Sequence, residues 1–578
     1  MTFFKKKVSE KDKTSLRINA LFLGIVALVL VVVVRLVFLQ ILNYQDLSAK
    51  AENQRDFSSV VSPERGRIFL VDRFNKTTQL AANGSEYSVY AVPKDVEDKE
   101  AFSKSVSDLL EVDYETLLLR VSKDNDPYEP VKSLVSEEKK IELEALGLSG
   151  LGFKEIKRRM YPQGSLASHV SGFLSAKNNE GIGQYGIEEF YDENLAGRAG
   201  FISGELDSFG ANVINEDASS FQAINGDYIF LSIDPNVQFK IEDELKNVAE
   251  KYKAESGSII VMEPSSGRIL GMANYPSFDP NNYSSVESIS IFKNKAVSSQ
   301  YEPGSIMKPI TMAIGIDAGV ITPETTYEDK GFVTMSGYTM RNYNGKANGV
   351  KTMTEVLEMS LNTGTVFVSQ KIPKDIFRQY MKDFGFGQKT GIDLPVEAKG
   401  DIRNLEKNRE INFATASFGQ GVATTPIQML SSISVIANGG KLMKPRLVDQ
   451  IFKANGSKTY VNSEEIRRVI SEETAEKVKK MLVSVVKNGF DKAEVPGYFV
   501  AAKTGTAQIP STDGKGGYSD EVIHSFIGFA PAYDARFSVL VILEKPQDVK
   551  YASQSLTGTF REVMKYLLNY YEVKPDYK

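Results

Sequence analysis

The stretch YEPGSIMKPI, residues 301–310, sets Ser305 directly behind a Pro-Gly pair and Lys308 three positions further on. On a helix that spacing brings both side chains to one face. Pro303 and Gly304 are expected to end an extended segment and open the helix SIMKPITMAIGIDAGV, with Ser305 in its first turn. Free backbone N–H groups and the helix dipole favour developing negative charge there. Pro309 is compatible with the helix because it also falls near the start. A lysine kept neutral by burial or by a neighbouring cation accepts a serine proton. The pair therefore reads as a nucleophile with an amine base. This suits a chain with only two histidines, His169 and His524, and no cysteine. Thiol catalysis, disulfides and cysteine-ligated zinc are excluded, and two histidines are too few for a histidine-rich metal site. No metal or cofactor is expected.

Ser-x-x-Lys is a weak pattern by itself. It recurs at Ser136/Lys139, Ser290/Lys293 and Ser484/Lys487, in charged or helical surroundings without a Pro-Gly entry. Those copies read as chance, and the 305 copy taken alone would read as structural. Two companions change this. Ser360-Leu361-Asn362 is the one Ser-x-Asn in the chain, and Lys503-Thr504-Gly505-Thr506 lies in VAAKTGTAQ, a strand-like run. A second Lys-Thr-Gly, at 389–391, sits in the glycine-rich loop FGQKTGIDLP with no strand before it. The copy at 503 is the one expected to act.

At 578 residues with 42% hydrophobic content, the chain is expected to hold about two to four packed domains. A net charge of −5 gives no reason to expect a nucleic-acid partner. Residues 20–34, ALFLGIVALVLVVVV, carry no charged or polar side chain, and LVFLQIL follows Arg35. Together they cover the ~20 residues of a membrane-spanning helix. Lys5, Lys6, Lys7, Lys11, Lys13 and Arg17 precede the run, against Glu10 and Asp12. Positive residues stay cytoplasmic, so the long C-terminal portion is expected outside the cytoplasm. The alternative is a cleaved signal peptide, whose apolar region is ~7–15 residues and ends at a small-residue site. RLVFLQILNYQDL offers no such site, and an uncleaved single-pass anchor is the reading adopted. Arg35 either snorkels to the interface or contacts a partner helix.

The fold class is mixed α/β (α+β). A cytoplasmic tail (1–17) and anchor (18–42) lead into a region, 43–224, where RGRIFLVDR reads as a turn feeding a strand. Small helices are expected between Glu97 and Glu144, then bends and extended pieces. From 225 the texture changes. NGDYIFLSID reads as a strand, PNVQFKIEDELKNVAEKYKA as an amphipathic helix, and ESGSIIVMEPSSGRILGMANYP as a hairpin. Three strand-like runs, YFVAAKTGTAQ, HSFIGFAPA and RFSVLVILEKP, precede a closing helix, SLTGTFREVMKYLLNYY. The pattern implies an antiparallel sheet built from both ends of 225–578, with a helical lobe between.

Ser305/Lys308, Ser360/Asn362 and Lys503-Thr504-Gly505, in this order, match the three-motif site of penicillin-recognising serine acyl transferases. The wider chain resembles the class B penicillin-binding proteins, monofunctional peptidoglycan D,D-transpeptidases with one membrane anchor. RGRI (65–68), RMYPQGSLASHVSGF, YGIEEFYDENLAG, MANYPSFDPN, YEPGS, SFGQGVATTPIQ and HSFIGFAPA carry the likeness along nearly the whole chain. It is most similar to the division-specific FtsI type, because nothing sizeable follows the last helix and the motif spacing is similar. The glycosyltransferase motif of the bifunctional class A proteins is not found in the sequence, and 43–224 resembles the elongated pedestal (dimerisation-type) domain of class B. A compact β-lactamase would lack that pedestal.

The resemblance implies a donor stem peptide ending in D-alanyl-D-alanine. Ser305 would attack its penultimate carbonyl, Lys308 would accept the proton, and the N–H groups of Ser305 and Thr506 would form the oxyanion hole. Lys503, Thr504 and Thr506 would hold the terminal carboxylate, with Gly505 between them. Ser360 would return a proton to the leaving D-alanine, and Asn362 would orient Lys308 and the substrate amide. β-Lactams would acylate Ser305. Expected partners are donor and acceptor stem peptides and a SEDS-type membrane glycosyltransferase among other cell-wall synthesis proteins; scaffolding of that polymerase is the alternative function, and a role in elongation the alternative to division. His524 either approaches the cleft or packs structurally, and the structural role is expected. Which lysine is neutral stays open at this point.

Overall fold

The computed structural model describes residues 10–43, 56–123, 126–175, 181–206, 212–213, 220–511 and 517–577; Lys5, Lys6 and Lys7 lie outside them. The chain forms two compact units, 1–63 with 197–224 and 64–196 with 225–578.

In the first unit a helix over Glu10–Val37 continues as a π-helical turn over Phe38–Leu42. Its stretch Asn19–Ile41, 23 residues, is long and apolar enough to cross a membrane. At about 1.5 Å per residue it exceeds the ~30 Å hydrocarbon thickness. The unit also holds a small antiparallel sheet in which Gly200–Leu206 pairs with Asp56–Val61, Asn212–Val213 and Ser220–Phe221.

In the second unit the RGRI segment feeds the strand Ile68–Val71, which pairs antiparallel with Thr77–Ala91 and parallel with Tyr228–Leu231. Tyr228–Leu231 pairs in turn with Val448–Phe452, so one sheet draws strands from both sides of residue 225. Gly66 allows the close approach, because a Cβ there would lie 1.9 Å from the Asp227 carbonyl oxygen. Beside it, Arg65 donates to Glu188 at 2.8 Å and to Asp192 at 2.7 Å, and Arg159 donates to the other Glu188 oxygen at 2.7 Å. Burial alone would raise the Glu188 carboxyl, but Arg159 and Arg65 hold it below its ordinary value. RGRI and YGIEEF thus meet in one buried ion cluster. The helices Lys99–Leu110, Tyr114–Val121 and Glu137–Ala145 each begin on a side-chain cap, Asp98, Asp113 and Ser136. Ser136 accepts from the Lys139 N–H, so this Ser-x-x-Lys is a helix cap.

The centre of the unit is an antiparallel sheet of β1 (Ser256–Met262), β2 (Ile269–Tyr275), β3 (Ala501–Pro510), β4 (Tyr518–Ala530) and β5 (Phe537–Glu544). The order is β2-β1-β5-β4-β3, which joins the early hairpin to the late strands and leaves β3 at the edge. Alternate residues face opposite sides. Ile259 and Val261 pack with α1 (Pro235–Lys251) and the closing helix (Thr557–Tyr570), while Ile260 and Met262 pack with the helical lobe.

Within that lobe, α2 spans Lys308–Asp317. The expected helix start at 305 is instead a 3-10 turn over Gly304–Met307. Pro309 is the reason, since it has no N–H for the carbonyl of residue 305 and its ring crowds that carbonyl. A further departure lies at 326–352, where two antiparallel ribbons interrupt the helices: Thr326–Asp329 with Gly349–Thr352, and Phe332–Met335 with Tyr338–Arg341. The second closes on Ser336 and Gly337 with φ of 50° and 81°. A two-residue turn with both φ positive is a hairpin signature, legible in MSGY and missed in the reading of this region as helical.

Candidate active site

The 3-10 turn aligns residues three apart more directly than an α-helix does. It leaves Ser305 half-buried on the wall of a cleft of about 1220 Å³, also lined by Ser360, Asn362, Thr504 and Thr506. Lys308 lies below the surface, fully buried. The Ser305 hydroxyl makes no hydrogen bond among the described residues, so it is open to the cleft.

Ser360 stands between the helix Met353–Glu358 and α3 (Asn362–Lys371), in the left-handed region at φ 54°. A non-glycine residue there is strained and persists only when its surroundings fix it. Here the fixing contact is visible. Lys308 Nζ donates to the Ser360 carbonyl at 2.5 Å and lies 3.2 Å from its Oγ. From the other side Lys503 Nζ donates to the same Oγ at 3.0 Å and to the Thr504 carbonyl at 3.2 Å. Two buried amines therefore share one hydroxyl. Burial, and then the charge on Lys503, push the Lys308 amine well below its ordinary value. Burial pushes Lys503 down to about 7. Asn362 does not reach Lys308; its Nδ2 donates to the Arg341 carbonyl at 2.8 Å. Lys308 is oriented by Ser360 instead.

On β3, an added Cβ at Gly505 would meet Ser525 Oγ at 2.5 Å and the Pro303 carbonyl oxygen at 3.1 Å. Glycine thus lets the edge strand lie against the nucleophile turn. Thr506 Oγ1 accepts the Ala552 N–H at 3.0 Å, which leaves its own proton free for a ligand in the cleft. The other Lys-Thr-Gly is occupied elsewhere, since the N–H and hydroxyl of Thr390 both donate to Glu397. His524 is fully buried with Nδ1 2.8 Å from Ser555 Oγ, and burial holds it down to about 4. Its contact is structural.

The segment SFGQGVATTPIQ braces the nucleophile turn from behind. Gly304 N–H donates to the Gly419 carbonyl at 3.0 Å, and Tyr301 and Thr424 exchange backbone hydrogen bonds at 2.9 Å each. Glu302 accepts from the Gly421 N–H and from the Tyr518 hydroxyl, both at 2.9 Å. Tyr518, Arg341 and Tyr343 escaped the sequence reading because each reaches the site from an element far away in the chain. Among the described residues, no group of three His, Asp or Glu side chains could hold a metal ion.

Residues 257–565 match the family described as the penicillin binding protein transpeptidase domain. The chain belongs to that family. Residues 60–231 match the penicillin-binding protein dimerisation domain, which makes this a class B penicillin-binding protein. Curated relatives of this penicillin-binding protein include stage V sporulation protein D of Bacillus subtilis, 35% identical over 90% of this chain and 80% of that protein. Peptidoglycan D,D-transpeptidase FtsI of Escherichia coli is 28% identical over 96% and 92%. Among solved structures, penicillin-binding protein 2X of Streptococcus thermophilus superposes with a TM-score of 0.76 at 22% identity, covering 90% of this chain and 81% of that one. Penicillin-binding protein 3 of Mycobacterium tuberculosis, solved with aztreonam, gives 0.67 at 26% identity, covering 89% of this chain and 98% of that one. This penicillin-binding protein is accordingly a serine-type peptidoglycan transpeptidase of cell-wall synthesis, from a family that binds β-lactams.

Proposed function

We propose that this transpeptidase cross-links stem peptides with Ser305 as nucleophile and Lys308 as its base. The observation that carries the reading is the pair of buried amines meeting on the Ser360 hydroxyl beneath an open Ser305. Lys308, neutral, takes the Ser305 proton as the hydroxyl attacks the penultimate carbonyl of a D-alanyl-D-alanine terminus. Backbone N–H groups of Ser305 and Thr506 receive the oxyanion, a contribution of ~3–4 kcal/mol for one such donor. Lys503, charged, with Thr504 and Thr506, holds the terminal carboxylate at the β3 edge, where Gly505 admits the backbone. Ser360, bonded to both amines, returns the proton to the leaving D-alanine, and Asn362 receives the substrate amide. The acyl-enzyme is then resolved by an amine of a second stem peptide. β-Lactams enter the first half of this cycle and acylate Ser305.

We extend the reading to the whole chain. Residues 1–17 form a cytoplasmic tail, 18–42 a single-pass anchor, 43–224 the pedestal and 225–578 the extracytoplasmic transpeptidase domain. The basic residues before the apolar run support that orientation. A SEDS-type glycosyltransferase supplies the nascent strand, and the role is in division. Mass spectrometry of protein treated with labelled penicillin is expected to find the adduct on Ser305, and Ser305→Ala to remove it. Growth sustained by Ser305→Ala, but not by changes in the pedestal, would instead favour the scaffolding function.

A further inference from the structure

Beyond the three motifs, the cleft carries four lysine and arginine side chains on its wall: Lys253, Arg341, Lys545 and Lys550. Two are neutralised. Lys545 pairs with Glu255 at 2.9 Å and Glu521 at 3.3 Å, and Lys253 approaches Asp548 at 3.9 Å. Arg341 and Lys550 have no carboxylate within ion-pair distance among the described residues, and both are exposed. They come from distant parts of the chain, Arg341 from the end of the strand Tyr338–Arg341 and Lys550 from the loop after β5, yet these segments meet. Tyr343 and Tyr551 touch edge to face, with ring centroids 5.8 Å apart. Each tyrosine has one of the free cations as a near neighbour in sequence.

The placement of Arg341 is constrained. Its carbonyl accepts from Asn362, which ties it to the Ser-x-Asn motif, and its guanidinium lies over the Phe332 ring at 5.4 Å. Lys550 lies over Tyr551 at 5.3 Å. A planar fork and a point charge on one cleft wall, borne by segments joined through an aromatic contact, suit a carboxylate. We propose that Arg341 and Lys550 form a second anionic subsite, which takes a carboxylate of the donor peptide upstream of the scissile bond. The inference rests on the transpeptidase reading, in which the terminal carboxylate is held at Lys503 and the remainder of the peptide runs out along the cleft. Tyr343 and Tyr551 pack against the intervening peptide.

The test uses the full chain in detergent and two D-alanyl-D-alanine donors. They are identical except that one upstream carboxylate is free in the first and a carboxamide in the second. For the wild type, kcat/KM for D-alanine release favours the free carboxylate about fivefold at low salt, the scale of a solvent-exposed ion pair. The preference shrinks towards unity at about 0.5 M salt. In R341Q/K550Q the ratio of the two donors falls to about one, whatever the absolute rates, and R341K retains part of it. A wild-type ratio of one, or a ratio unchanged in R341Q/K550Q, overturns the subsite; should the variant not turn over, the wild-type ratio and its salt dependence decide. If both donors react equally while labelled penicillin still modifies Ser305, only this subsite falls. If neither reacts and Ser305 stays unlabelled, the transpeptidase reading itself fails.

Discussion

Replacing Lys503 with arginine is expected to remove the alkaline limb of the acylation profile. Lys503 is fully buried, and its ammonium falls from 10.5 to about 7 because burial penalises the charge. The penalty corresponds to about 5 kcal/mol. A lysine in this state is half charged near pH 7 and about one-tenth charged one pH unit higher. The second-order rate of acylation reports the free enzyme. It therefore drops about tenfold per unit above pH 7 as the carboxylate clamp loses its proton. On the acid side the rate rises with pH as Lys308 becomes neutral. The two amines share Ser360 and titrate as a pair, so the limbs belong to the pair rather than to either residue alone. Arginine stays protonated throughout. Lys503→Arg lowers the absolute rate, because a guanidinium overfills a buried site, but the profile then stays level to about pH 9. The acid limb is kept, since a positive charge still stands beside Lys308. The assay is the rate of Ser305 labelling by a fluorescent penicillin from about pH 5 to 9.5. An alkaline decline that persists in the arginine variant with its midpoint unmoved would refute this account.

Ser360→Ala removes the hydroxyl that both amines share, at ~1.5–3 kcal/mol for a hydrogen bond to a charged group, so acylation is expected to slow by about 10- to 100-fold in the same labelling assay. Lys308→Met is expected to abolish acylation yet raise Tm at pH 7 by about 1–2 °C, because relief of the buried amine outweighs the lost bond to the Ser360 carbonyl. The sign follows from linkage. The folded-state value of Lys308 lies below the unfolded 10.5, so the unfolded chain binds more protons between the two values, and wild-type stability rises with pH across that window. The advantage of methionine therefore narrows as pH approaches 10.5, and calorimetry showing a lower Tm at pH 7 would contradict it. Gly66→Ala drives a methyl into the Asp227 carbonyl and is expected to lower stability by about 1–3 kcal/mol, with Ser305 labelling retained in the cold. Unchanged thermal unfolding in that variant would show that the 68–71 to 228–231 pairing tolerates separation.

Much of this protein is written locally. The apolar run at 20–34, the hairpin turn between β1 and β2, the amphipathic period of α1 and the three late strands each express a preference of a few neighbouring residues. The three motifs were legible for the same reason, since a Pro-Gly entry, a lone Ser-x-Asn and a Lys-Thr-Gly on a strand are short patterns. Even the choice between the copies at 389 and 503 followed from the apolar run before the second.

Other features depended on residues far apart in the chain, and only the folded chain decided them. No sequence pattern sets Lys308 and Lys503 on the same hydroxyl; the lowered proton affinity of both comes from the exclusion of water, to which the charge on Lys503 adds at Lys308. The left-handed Ser360, the sharing of Glu188 by Arg65 and Arg159, and the contact of Tyr343 with Tyr551 have the same origin. Backbone preferences act over a few residues, whereas burial and charge act through space. The residue types were therefore named by the sequence, while their protonation and partners were settled by packing.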